Sequence, residues 1–193
     1  MLLLIGLIFC AFLLGSVSTA VIVCRYMSLP DPRAVGSHNP GTTNVLRIGG
    51  KKAAVIVLIG DGLKGFLPVG CAQLLGLDLW SSSLVALAAF LGHTYPIFHR
   101  FKGGKGVATF LGALFALDTF SALLACLTWL LVAKLLHISS LSGMATTLLA
   151  PVYFYALSAD KSTAAVLSLI ALWIVFNHRQ NIIRLINKQE SKI

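Results

Sequence analysis

The sequence predicts an all-α integral membrane protein of seven transmembrane helices, with its N-terminus outside and its C-terminus cytoplasmic. Three observations predict it. Of the 193 residues, 58% are hydrophobic and 11% charged, whereas a soluble domain is about 45–50% apolar and about 25% charged. The apolar residues gather into seven runs. The basic residues gather on alternate connections between those runs. The length allows one membrane domain, 1–193, without a soluble enzyme beside it, and the low charge excludes disorder.

A helix crosses the hydrocarbon core with about 20 apolar residues, within a range of about 17–25. The first run, Leu2–Val23, starts without Lys or Arg and has no small-residue cleavage site. It reads as a retained helix rather than a signal peptide. The second run is Ala53–Leu75 and the third Trp80–Phe98. The fourth, Val107–Leu117, is short. Thr119–Leu136, Leu141–Leu157 and Ser162–Phe176 complete the set. Only Asp118 and Thr119 separate the fourth run from the fifth, so one bent helix there would give six spans.

The charges select the odd number. With the N-terminus outside, the inner connections are 24–52, 98–106, 137–140 and the tail from 177. Counting Lys134 beside the third, they hold 13 of the 15 basic residues. The outer connections hold one Lys, Lys161, and three of the six acids: Asp78, Asp118 and Asp160. That is the positive-inside pattern. The net charge of +9 is therefore a topology signal, and nucleic acid is not expected as a partner. The four cysteines show no CxxC spacing and read as inert thiols.

The inner connections carry the polar motifs. The first contains Gly36-Ser37-His38-Asn39-Pro40-Gly41-Thr42-Thr43-Asn44, flanked by Arg33 and Arg47. Gly, Pro, Asn and Ser permit sharp turns, turns converge N–H groups into anion nests, and Arg forks suit phosphate. A capped, solvated loop is the plainer alternative. The second is Phe101-Lys102-Gly103-Gly104-Lys105-Gly106, leading into a helix. Glycines let a phosphate approach the backbone, and a helix N-terminus adds donors. It is not a Walker A loop, because Gly106 stands where Ser or Thr is required. His93, just upstream, is a base, a ligand or a structural histidine. Asp61 and Lys64 lie three residues apart inside the second run, where mutual neutralisation is favoured over a catalytic Asp61. Ser139, Ser140 and Ser142 suit helix capping. In the tail, His178, Asn181 and Arg184 share a helical face; a basic juxtamembrane helix on anionic lipid is the alternative.

Several chemistries are excluded. There is no His-Glu-x-x-His run and no Cys/His/Asp cluster suited to a metal. There is no Gly-x-Ser-x-Gly elbow. No histidine is followed five positions later by Asp, which removes the arrangement of thioester-using glycerolipid acyltransferases. No metal and no cofactor is expected.

Three motifs together resemble the PlsY family, the bacterial acyl-phosphate-dependent glycerol-3-phosphate acyltransferases. They are Gly36-Ser37-x-Asn39-x-Gly41-x-Thr43-Asn44-Val45-x-Arg47, Asp61-x-x-Lys64-Gly65-x-x-Pro68, and Gly92-His93-x-x-Pro96 running on to Gly103-Gly104-Lys105-Gly106-Val107. The tail His178-Arg179-x-Asn181 agrees, and the resemblance extends from about Gly15 to Glu190. It implies acyl transfer from acyl phosphate to the sn-1 hydroxyl of glycerol 3-phosphate, at the cytoplasmic face of a bacterial inner membrane. A soluble acyl-phosphate synthase is the implied supplier. On this resemblance Ser37, Arg47, Lys105, Ser140, His178 and Asn181 are the candidate catalytic residues. Gly36, Asn39, Gly41, Thr43, Asn44, Lys102, Gly103, Gly104 and His93 are the candidate substrate contacts. Lys105, Gly103, Gly104, Ser37 and Asn39 are assigned to acyl phosphate. Arg47, Ser140, His178 and Asn181 are assigned to glycerol 3-phosphate. The proton acceptor is either His178 or a substrate phosphate oxygen. The sequence departs from the family at His38 (usually Gly), Thr42 (Ala), Ser18 (Pro) and Asn187 (Gly). A membrane transporter or binder of phosphorylated anions is the rival class. It would place these groups near mid-membrane, whereas here all but Asp61 and Lys64 lie at the inner ends.

Overall fold

A computed structural model describes residues 1–192. Among them it contains nine α-helices and one 3₁₀ turn: α1 (Leu2–Gly15), α2 (Thr19–Tyr26), α3 (Thr42–Leu74), α4 (Leu79–Thr94), the turn Ile97–His99, α5 (Val107–Leu117), α6 (Thr119–Leu136), α7 (Ser139–Ser158), α8 (Lys161–Asn177) and α9 (Arg179–Ile186).

The helix boundaries follow from local chemistry. Asp78, Asp118 and Asp160, the three acids of the outer connections, are the N-caps of α4, α6 and α8. Their carboxylates accept from the N–H groups of Ser81 (2.8 Å), Ser121 (2.7 Å) and Ser162 (3.0 Å). At the far ends, His137 and Ala159 adopt left-handed conformations that close α6 and α7 within one residue. Short connections of this kind hold consecutive helices side by side.

The first apolar run is not one helix. It breaks at Ser16–Ser18, where Ser16 Oγ donates back to the Phe12 carbonyl at 2.8 Å. The second element begins earlier than its apolar run, at Thr42, so the latter half of the first motif is helical. It turns at Gly50, whose φ of 74° needs a glycine. The third run ends as helix at Thr94, and Pro96 then starts the short turn.

Four segments are long and apolar enough to cross a membrane: Leu2–Tyr26, Thr42–Leu74, Thr119–Leu136 and Ser139–Ser158. The α8–α9 pair, bent by 55°, makes a fifth. α4 and α5, with 16 and 11 residues, fall short of a full span and pack inside the bundle. Helix length thus supports four or five spans, against the seven expected.

Small residues bring these backbones together. A Cβ on Gly112 would strike the Gly62 carbonyl, and one on Gly65 would strike the Thr109 carbonyl, so α3 and α5 touch almost backbone to backbone. Gly15 and Gly92 do the same for α1 and α4. Lipid supplies no hydrophobic drive between helices, so such close packing substitutes for it. Phe90, Phe110, Phe154 and Leu114 fill the centre, while Leu127, Leu130, Leu172 and many others face outward.

Candidate active site

Four chain segments meet at one end of the bundle. The first is the loop before α3. Asn44, on the first turn of α3, is 1% exposed. Its Nδ2 donates to the Pro32 (2.8 Å) and Val35 (3.0 Å) carbonyls, and its Oδ1 accepts from the Ser37 N–H at 2.9 Å. Gly36, with φ 66°, leaves no room for a Cβ above that oxygen. Asn44 therefore braces the loop from beneath. Thr43 Oγ1 lies 2.7 Å from Ser139 Oγ and ties α3 to the start of α7. His38 takes a φ of 57°; the usual glycine there reflects this conformation, and histidine is among the residues that tolerate it. Asn39 Nδ2 closes over Gly41, which precedes α3.

The second segment is the glycine loop. The N–H groups of Gly103 and Gly104 donate to the carbonyls of Thr94 (3.1 Å) and His93 (3.2 Å). They cap the end of α4. The glycines are required because a Cβ on Gly103 would meet the His93 and Thr94 carbonyls, and one on Gly104 would meet the His93 ring. Gly106, at φ 93°, lies over the Phe90 ring and leads into α5. The loop delivers Lys105. Lys102 and Gly103, with Arg33, His38, His99 and Arg100, line an open cationic cavity of about 700 Å³.

The third and fourth segments are the first turn of α7 and the α8–α9 bend. Lys105 Nζ donates to Asn181 Oδ1. Asn181 Nδ2 donates to Glu190 Oε1 at 2.6 Å, Ser140 Oγ to the same oxygen at 2.8 Å, and Arg184 Nε to Oε2 at 2.7 Å. His178 is 4% exposed. Its Nδ1 lies 2.8 Å from the Ile174 carbonyl. A carbonyl only accepts, so Nδ1 carries the proton and Nε2 keeps its lone pair. Nε2 faces Gly143.

The structure thus unites Lys105, Ser140, His178 and Asn181. Arg47 is close enough for its charge to act on Lys105. Lys105 is joined to the Ser140–Asn181 group through Asn181. His93 is 6% exposed and lies within the bundle beside Asp61 and Lys64. Glu190, which joins the cluster, was not singled out in the sequence. Its signal was faint: a lone acid on a basic tail, nine residues past Asn181.

Electrostatics follow from this crowding. Burial, together with the positive charges of Arg184 and Arg47, pulls the Lys105 ammonium down to about 8 despite Glu190. Burial and the Lys105 charge hold His178, beyond the end of α8, at about 4, so its imidazole is neutral at pH 7. Burial would raise the Glu190 carboxyl, but hydrogen bonds from Asn181, Arg184 and Ser140 outweigh it and keep Glu190 ionised.

The sequence model described as glycerol-3-phosphate acyltransferase matches residues 5–188. A glycerol-3-phosphate acyltransferase of Ruthia magnifica subsp. Calyptogena magnifica is 56% identical over 192 residues, covering 100% of this chain and 98% of the relative. One from Thioalkalivibrio sulfidiphilus is 52% identical, covering 100% and 95%. A crystal structure of PlsY, an integral membrane glycerol 3-phosphate acyltransferase, in its glycerol 3-phosphate form superposes with a TM-score of 0.94 at 37% identity, covering 98% of this chain and 95% of that one. The lysophosphatidic acid form gives 0.91 at 36% over the same shares. With whole-chain identity, fold and clustered cationic site in agreement, this chain belongs to the glycerol-3-phosphate acyltransferase family and is an integral membrane acyltransferase of phospholipid synthesis.

Proposed function

We infer that the protein transfers the acyl group of an acyl phosphate to the sn-1 hydroxyl of glycerol 3-phosphate, giving 1-acylglycerol 3-phosphate and inorganic phosphate. The observation that carries this reading is the buried cluster of Lys105, Asn181, Ser140 and neutral His178 beside Arg47. It offers donors and cations for phosphate and an unprotonated imidazole nitrogen beside them. The solved relatives are named for their glycerol 3-phosphate and lysophosphatidic acid forms, the acceptor and product of this reaction.

Acyl phosphate is a mixed anhydride, so phosphate leaves without prior activation. The sn-1 oxygen forms a bond to the acyl carbon, the carbon–oxygen bond to phosphate breaks, and its electron pair leaves with the phosphate. Two polyanions must approach, and Lys105 and Arg47 offset their repulsion. The hydroxyl proton goes to a phosphate oxygen. His178 Nε2 then orients the hydroxyl by accepting its hydrogen bond. Ser37 and Asn39, on the braced loop beside the cationic cavity, serve the donor's phosphate. The active site faces the cytoplasm of a bacterial inner membrane, and a soluble enzyme that makes acyl phosphates supplies the donor.

The test is lysophosphatidate formation by the purified protein in lipid, with palmitoyl phosphate or palmitoyl-CoA as donor and glycerol 3-phosphate as acceptor. Turnover with palmitoyl phosphate and none with palmitoyl-CoA is expected. Turnover with palmitoyl-CoA alone would overturn the donor assignment. Nuclear magnetic resonance of the product separates sn-1 from sn-2 acylation.

A further inference from the structure

Three ionisable residues lie inside the helices, away from the cluster just described. Asp61 and Lys64 on α3 and His93 on α4 are 2%, 4% and 6% exposed. Lys64 Nζ stands 3.0 Å from Asp61 Oδ1 and donates at 3.0 Å to the carbonyl of Val17, in the break between α1 and α2. Asp61 Oδ1 also lies 3.8 Å from His93 Nδ1, an ion-pair separation rather than a hydrogen bond, and His93 Nδ1 has no hydrogen-bond partner among the described residues. The other edge of the His93 ring carries Gly104. A Cβ on Gly104 would strike His93 Nε2 and approach Cε1 at 2.8 Å and Cδ2 at 3.3 Å. The His93 carbonyl receives the Gly104 N–H at 3.2 Å. The residue after Gly104 is Lys105.

Buried ionisable groups at hydrocarbon depth are costly unless they serve something. Mutual neutralisation accounts for Asp61 and Lys64. It leaves unexplained why a polar ring stands between that pair and the glycine loop. We propose that Asp61, Lys64 and His93 form a positioning unit, in which Asp61 orients the His93 ring, Lys64 anchors the pair to the broken first helix, and the ring supports Gly104 so as to set the position of Lys105 in the site. His93 acts on the reaction through the loop and touches no substrate. The proposal rests on the assignment of Lys105 as the cation of the active site.

The experiment compares KM for glycerol 3-phosphate and kcat in four variants, with the folded fraction followed by size-exclusion chromatography. His93→Asn keeps a nitrogen facing Asp61 but removes the edge under Gly104. Its KM rises by roughly tenfold to 100-fold, as for a displacement of about 1 Å in a positioned group, with a smaller change in kcat. His93→Gln restores reach toward Gly104 and recovers most of that loss. Gly104→Ala places a methyl against the ring, and its defect is smaller in the His93→Asn background than in wild type. This non-additivity marks direct contact, and a general loss of stability would not produce it. A wild-type KM in folded His93→Asn, or independent effects of His93→Asn and Gly104→Ala, would overturn the proposal. Lys105→Ala is run alongside. If it turns over like wild type, the assignment of the site fails; if it is inactive while His93→Asn is normal, only the positioning unit fails.

Discussion

Lys105 couples burial directly to function. Its ammonium is held down to about 8 against a usual value of 10.5, so it loses its charge as pH rises through about 8. The free enzyme's kcat/KM should therefore fall above that pH. In Lys105→Arg the charge persists at every accessible pH, and this alkaline limb should disappear whatever activity remains. His178 bears on stability. Its folded value of about 4 lies below the ordinary 6.5, so as pH falls the unfolded chain takes up this proton first. The stabilisation is complete above about 6.5 and is lost progressively between 6.5 and 4; thermal melts in detergent across that window measure it. Glu190 accepts three hydrogen bonds. Glu190→Gln leaves a neutral amide facing Arg184 and should lower stability by about 1–3 kcal/mol, with a lower melting temperature and reduced turnover. At position 38 the left-handed φ makes His38→Gly tolerable. His38→Val, β-branched in a conformation that costs about 1–2 kcal/mol, should lower the melting point.

Most helices were legible because each carries its own boundary chemistry. The aspartates before α4, α6 and α8 cap their first turns, and the apolar runs behind them have helical length. The misread elements share a cause: hydropathy records solvent, not backbone hydrogen bonding. Ser16–Ser18 is apolar enough to look continuous, yet the helix breaks there and Lys64 takes up the freed Val17 carbonyl. Thr42–Arg47 looks like loop by composition, yet it starts α3. The part of the Gly-Gly pair that composition does not show is that its N–H groups close the end of α4. The α3–α5 contact gives an element-scale test. Gly65→Ala drives a methyl into the Thr109 carbonyl and within 2.9 Å of the Ala113 nitrogen. Overpacking of this kind costs about 1–3 kcal/mol, so the melting temperature should drop. Because α5 follows Lys105 directly, activity should fall with it.

For the molecule as a whole, the orientation expected from the basic residues is the part that helix length does not test. α4 and α5 are too short to be recognised as spans by themselves, yet on the basic-residue pattern each would connect segments on opposite sides. We propose seven crossing segments with the N-terminus outside, an arrangement that the basic-residue pattern favours and helix length alone does not give. In cells, with the native cysteines replaced by serine, Lys161→Cys should react with an impermeant maleimide from outside, and Lys102→Cys only after permeabilisation. The reverse pattern would invert the molecule.

The sequence by itself determined the membrane class, the family resemblance and the pairing of Asp61 with Lys64. All of these depend on composition or on spacing along a single helix, quantities that the chain carries locally. Only the tertiary structure decided that Lys105 joins Asn181, that Glu190 closes the cluster from the far end of the chain, that Asn44 braces a loop and that His93 lies beneath Gly104. These contacts bridge 76, 50, 7 and 11 positions. The longer ones depend on how helices dock through their small residues. Even the shorter ones depend on which backbone groups remain free after each helix has ended.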